Sequence, residues 1–153
     1  MCMKNYWLTL SFIICLASCN SHSPHWEAIS QVESYIEERP DSALVVLEQI
    51  VPSELSSIEE KAKYSLLYSM ALDKNFVDKT DFEVLQPAID YYKDNGSATD
   101  KLRTYYYQGR IYQNAGNDAA AMECFVNAIY NGKESNDILT KARTYFAQSH
   151  IYY

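Results

Sequence analysis

The strongest constraint on how this chain can fold is that it repeats itself every 40 residues. Lys61, Ala62 and Lys63 return as Lys101, Leu102 and Arg103, then as Lys141, Ala142 and Arg143, and one slot holds Ser69, Gly109 and Ser149 in turn. Between the second and third copies, Thr104/Thr144, Tyr105/Tyr145, Gln108/Gln148, Ile111/Ile151 and Tyr112/Tyr152 are identical. The segments between keep the register: Glu83, Leu85, Ala88 and Ile89 correspond to Glu123, Phe125, Ala128 and Ile129. A unit recurring at this length buries its apolar face against its neighbours, so the period implies a stacked array.

The units are helical. Gly and Pro number only 4 each, and no stretch alternates apolar with polar residues for long. A divergent first unit places Trp26, Ile29, Val32 and Ile36 on one stripe and Ala43, Leu44, Leu47 and Ile50 on the next. Seven helices are predicted: 26–38, 41–51, 57–73, 81–94, 99–115, 118–131 and 138–153. Pro40 and Pro52 bound the second, and Ser57 with Glu60 and Thr80 with Glu83 have capping-box spacing. Asn95-Gly96, Gly116-Asn117-Asp118 and Asn131-Gly132 stop helices, with Asp118 placed to cap the next one. Pro87 falls in the first turn of its helix, where a missing donor matters little.

The run Tyr105, Tyr106, Tyr107 cannot share one helix face, since neighbours point about 100° apart. Tyr105 groups with Gly109 and Tyr112 on the packing stripe. Tyr107 becomes Ala147 in the next copy, so its size reads as dispensable.

The N-terminus reads as an export signal. Lys4 is followed by the apolar run Tyr6–Ala17, too short to span a bilayer. Leu16, Ala17, Ser18 and Cys19 resemble the lipobox of bacterial lipoproteins, which implies a signal peptide over 1–18, a lipidated Cys19, a tether over 19–25 and a repeat domain over 26–153. Removing Cys2 and Cys15 with the signal and acylating Cys19 leaves Cys124 alone, so no internal disulfide forms. Stability then rests on apolar packing, which 48% hydrophobic residues supply. A net charge of −7, more negative once Lys4 is gone, argues against nucleic acid as a partner.

Within 102–128, Tyr105, Gly109, Tyr112, Gly116, Ala121, Phe125 and Ala128 resemble the tetratricopeptide repeat (TPR) pattern of packing residues and turn glycine. Gln108 and Asp118 depart from it, and the spacing of 40 exceeds the usual 34. The stretches "RPDSALVVLEQI", "YSMALDKNF" and "YYYQGRIYQNAGN" together resemble the N-terminal region of tetratricopeptide lipoproteins and signalling proteins of Gram-negative anaerobes. The resemblance implies an all-α, right-handed α-solenoid of antiparallel helix pairs whose last pair is incomplete. That final helix has no partner helix in the sequence, which implies a fragment of a longer protein, a truncated gene or self-association through its apolar face.

Nothing in the pattern points to catalysis. His22, His25 and His150 lack metal-ligand spacing, Cys124 beside Phe125 reads as a small core residue, and no cofactor is implied. In the repeat family the first helix of each pair lines a concave groove. Carried over, the groove positions are Lys63, Leu66, Met70, Arg103, Tyr106, Arg110, Arg143, Phe146 and His150. This column of cations and aromatic or soft apolar groups suits an extended anionic peptide of a protein partner. The alternative is that the cations are solvated charges offsetting neighbours such as Glu60 and Asp100. The expected function is a non-enzymatic interaction module, anchored by lipid to the outer membrane and facing the periplasm. The input domain of a transcriptional regulator or histidine kinase and a glycan-binding lipoprotein stand as alternatives.

Overall fold

A computed structural model describes residues 22–152; Cys19 and the signal segment lie outside them. Among the described residues the chain is all-helical, with seven α-helices and no strand. They are α1 (Trp26–Tyr35), α2 (Pro40–Glu48), α3 (Ile58–Lys74), α4 (Gln86–Asn95), α5 (Ala98–Asn114), α6 (Asp118–Asn131) and α7 (Ile138–Tyr152), with a 3-10 turn at Pro52–Glu54. Each helix packs on its chain neighbour, and α1, α3, α5 and α7 also pack on one another in that order. None of the described helices is long and apolar enough to cross a membrane.

Local chemistry explains most boundaries and shifts a few from their expected places. Ser57 Oγ accepts from Glu60 N, so α3 starts as the spacing predicts. The box is only half closed, because the Glu60 carboxylate turns away to other donors. The Thr80–Glu83 box does not form: Glu83 N donates to Asp81 Oδ1, making a local turn that delays α4 until Gln86. Pro87 accordingly lies at the very start of α4. At α6 the cap is Asn117, whose side chain accepts from Ala120 N, while Asp118 is the first helical residue.

The tightest pairing is α5 with α6, and it depends on Gly109. A Cβ there would sit well inside van der Waals contact with the Phe125 ring, which lies over the α5 backbone and is fully buried. Ala121 and Ala128 flank Phe125 without any exposed surface, so small residues on α6 admit α5 along its length.

The tyrosine run distributes differently from its expected pattern. Tyr107 is fully buried and among the largest side chains of the core, whereas Tyr105 and Tyr112 are only partly buried at its edge. Tyr106 is buried as well, edge-on to Tyr107 with centroids 4.9 Å apart and 5.9 Å from Phe125. The reason is position: α5 is packed by α3, α4, α6 and α7, so more than one stripe of it faces protein.

Helix α3 ends in an αL turn, with Val77 N donating to Leu72 O and Phe76 N to Asp73 O. Phe76 holds the left-handed position at φ 60°, and its counterpart 40 residues on is Gly116, at φ 75° in the same hydrogen-bonding pattern. A side chain in that region costs about 1 kcal/mol or more relative to glycine.

Three substitutions test this packing by chemical denaturation. Gly109→Ala is expected to destabilise by about 1–3 kcal/mol through overpacking against Phe125. Tyr107→Ala is expected to lose about 3–5 kcal/mol, and Tyr105→Ala much less; equal losses would contradict the central placement of Tyr107.

Candidate functional site

The cations expected to line the groove are held by acidic side chains of the protein itself. Glu33, on α1, receives Lys63 Nζ at 2.6 Å on one oxygen and Arg103 Nη1 at 3.4 Å on the other. Glu37, in the turn after α1, receives Lys74 Nζ at 2.8 Å and Arg143 Nη1 at 2.9 Å, both on Oε2. Two carboxylates near the start of the fold thus reach α3, α5 and α7, the last of them 106 residues away in sequence. Arg103 also donates through Nε to Asp137 at 2.6 Å, and Arg110 donates to Asp73 at 3.0 Å and to Gln113 at 2.6 Å.

The electrostatics follow from this pairing. Burial raises the Glu37 pKa, but the hydrogen bonds and charges of Lys74 and Arg143 outweigh it and hold the carboxyl below its ordinary value. Asp137 is lowered for a similar balance: burial opposes, while Thr140 N and Arg103 favour the anion. Lys74 is drawn below its usual value, because its own burial exceeds what one shared carboxylate returns. Glu37 serves two cations and each cation has only part of it, so the two directions are consistent.

Between α3, α5 and α7 lies an open cleft of about 680 Å³. Tyr106, Arg110, Arg143, Phe146 and His150 line it, so five of the sequence-derived groove positions converge there. The others do not. Met70 is fully buried and Leu66 nearly so, both within the core, while Lys63 and Arg103 lie off the cleft with Glu33. Spacing alone missed Lys74, Phe76, Asp78 and Gln113, which also line the cleft. For Phe76 the signal was present in its alignment with Gly116 at the repeat spacing. Tyr106 is mostly covered, and burial pushes its hydroxyl pKa up to about 12, so it stays protonated at the cleft wall.

Glu60, expected to close a capping box with Ser57, is fully buried. Its Oε1 accepts from Ser23 N at 2.6 Å and lies 3.3 Å from His22 Nδ1; its Oε2 accepts from Ser56 N at 2.7 Å. Burial raises its pKa, but the backbone donors together bring it below the ordinary value. His22 stacks flat on Trp26 at 4.2 Å. Residues 22–25 of the expected tether are therefore docked on the fold.

Other reactive side chains are placed as packing groups. Cys124 is buried, and burial with the adjacent Glu123 pushes its thiol up to about 11. His25 pairs with Glu54 at 2.9 Å, and His150 packs edge-on against Phe146. Among the described residues no group of three or more His, Cys, Asp or Glu could hold a metal ion. No protein-family model matches the chain, and no curated protein or solved structure matches it significantly.

Because the folded pKa values of Glu37, Glu60 and Asp137 are lowered, the stability they contribute is fully present above their unfolded values and disappears as pH falls through the folded ones. Stability is expected to fall on acidification below about pH 4.5, the ordinary glutamate value. Glu37→Gln should lose about 1–3 kcal/mol at pH 7 and show a shallower acid limb; an unchanged limb in pH-dependent denaturation would sink the assignment.

Proposed function

We propose that the chain is a non-enzymatic protein-interaction module that receives a peptide or protein segment in the cleft between α3, α5 and α7. In this reading the fold is a right-handed α-solenoid of tetratricopeptide type. The 40-residue period, the packing of each helix on its neighbours and the ordered packing of α1, α3, α5 and α7 support it. The cleft is the observation that carries the function: about 680 Å³, open, and walled by side chains from three successive odd-numbered helices and the turn after α3.

The proposal places the protein on the outer membrane, facing the periplasm, through lipid on Cys19. The acidic net charge of −7 supports a protein rather than a nucleic-acid partner. Self-association through α7 is a further possibility of the same reading, since Ile138, Leu139, Tyr145 and Tyr152 are more than half exposed there.

The ion pairs decide how to test it. Charge reversal of Arg103 would set a carboxylate against Asp137 and Glu33 and report on folding instead of binding. A photo-crosslinking residue at Gln113 or His150, both lining the cleft, avoids those contacts or perturbs them least. In cells, these positions are expected to yield one discrete adduct that is absent when the probe sits at Val126, 53% exposed on α6. The same adducts from all three positions, or none from the cleft, would overturn the proposal.

A further inference from the structure

Helix α7 leaves exposed a seam that α5 buries. Leu139, Ala142, Phe146 and Ser149 are exposed and follow a 3-4-3 spacing that puts them on one side of the helix, while Thr140, Thr144 and Ala147 are buried on the other. Forty residues earlier, Ala142, Phe146 and Ser149 correspond to Leu102, Tyr106 and Gly109, and those three meet α6 and its C-cap. A Cβ on Gly109 would strike Phe125, a Cβ on Gly132 would strike Leu102, and the ring centroids of Tyr106 and Phe125 lie 5.9 Å apart. The two helices of that pair run antiparallel, with a large side chain set against each glycine.

The seam of α7 is complementary to itself. Set antiparallel against a second copy about a two-fold axis level with Thr144, Leu139 meets Ser149 and Ala142 meets Phe146, and the symmetry repeats both contacts in reverse. Large faces small at every level. Beside the seam, Tyr145 falls next to its own copy and Ile138 next to Tyr152. Ser149 Oγ already donates to Phe146 O at 2.7 Å, so covering it strands no hydroxyl.

We propose that a second copy of the chain occupies this seam, the two α7 helices pairing antiparallel in a reversible dimer. Charge permits the contact here: a chain of net −7 repels its copy, but α7 contains no Asp or Glu. Its cations are turned away, Lys141 donating to the carbonyls of Lys133 and Ser135 and Arg143 to Glu37. The area is of the right order. Tyr145, Phe146 and Tyr152 are 56%, 66% and 79% exposed and together leave roughly 300–500 Å² open. Ile138 and Leu139 add to this, against about 800 Å² per partner in a standard stable interface. The dimer gives self-association through α7 an occupant and a register, and it needs no peptide in the cleft, although Phe146 borders both.

The test is to co-express the full chain in two differently tagged forms, each carrying the photo-crosslinker p-azidophenylalanine at position 145, and to illuminate the cells. An adduct bearing both tags is expected, joined through α7 of each copy by mass spectrometry, and none when the probe sits instead at Val45, 57% exposed on α2. Phe146→Ala removes a ring and Ala142→Phe sets two rings against each other, so each should cut the adduct about tenfold. The double variant Ala142→Phe/Phe146→Ala should restore it, because large again meets small. Absence of a doubly tagged adduct, single substitutions without effect, or a double variant that does not recover would overturn the pairing. So would an adduct formed only with a different protein, which would assign the seam to that partner. Gln113 crosslinks that persist through such a failure would leave the cleft as a protein site, and a doubly tagged adduct without them would remove the cleft reading alone.

Discussion

The approach of α5 to α6 through Gly109 is the contact on which the rest of the structure depends. Without a side chain at that point the Phe125 ring lies directly over the α5 backbone, and its burial is complete. The same ring packs against Tyr106, which packs against Tyr107, so a single vacancy organises three aromatic side chains. Helix α5 then becomes the one on which α3, α4 and α7 also rest. Any bulk added at Gly109 would be transmitted to the cleft wall, because Tyr106 and Tyr107 belong to both core and cleft.

A second layer of interaction links distant parts of the chain. Glu33 and Glu37 lie within and just after the first helix, yet they hold cations from α3, α5 and α7. Neither carboxylate is fully exposed, so these pairs are screened less than surface ones, and each carboxylate ties two cations from different helices to the first one. They also change what the basic column can do. A guanidinium hydrogen-bonded to Glu37 or Asp137 offers an anionic ligand fewer of its donors, and the cleft presents exposed aromatic surface beside it.

Much of the fold was legible in the sequence. Seven helices follow from the period, the apolar stripes and the turn glycines, and Ser57 caps where spacing predicts. The misplacements are informative. The α4 start moved because Asp81 captured Glu83 N locally, and the role of Tyr107 was misjudged because the next copy has Ala147 at its position. That comparison held the environment constant between repeats, but α5 is surrounded and α7 is not. The candidate site was legible in part: Arg110, Arg143, Phe146 and His150 do converge, whereas Met70 faces the core and Phe76 was overlooked.

The amino-acid sequence by itself determined the helical class, the repeat length and the small and large packing slots to which Gly109 and Phe125 belong, because these depend on local spacing and side-chain volume. Only the tertiary structure decided which charges remain free. Whether Lys63, Arg103 or Arg143 meets a ligand or a carboxylate depends on how close the first helix comes to the last, and whether Glu60 is solvated depends on where Ser23 and Ser56 place their amides. Apart from Ser56–Glu60, 4 residues apart, those contacts join residues from 30 (63 − 33) to 106 apart, and no periodicity along the chain encodes distances across the fold.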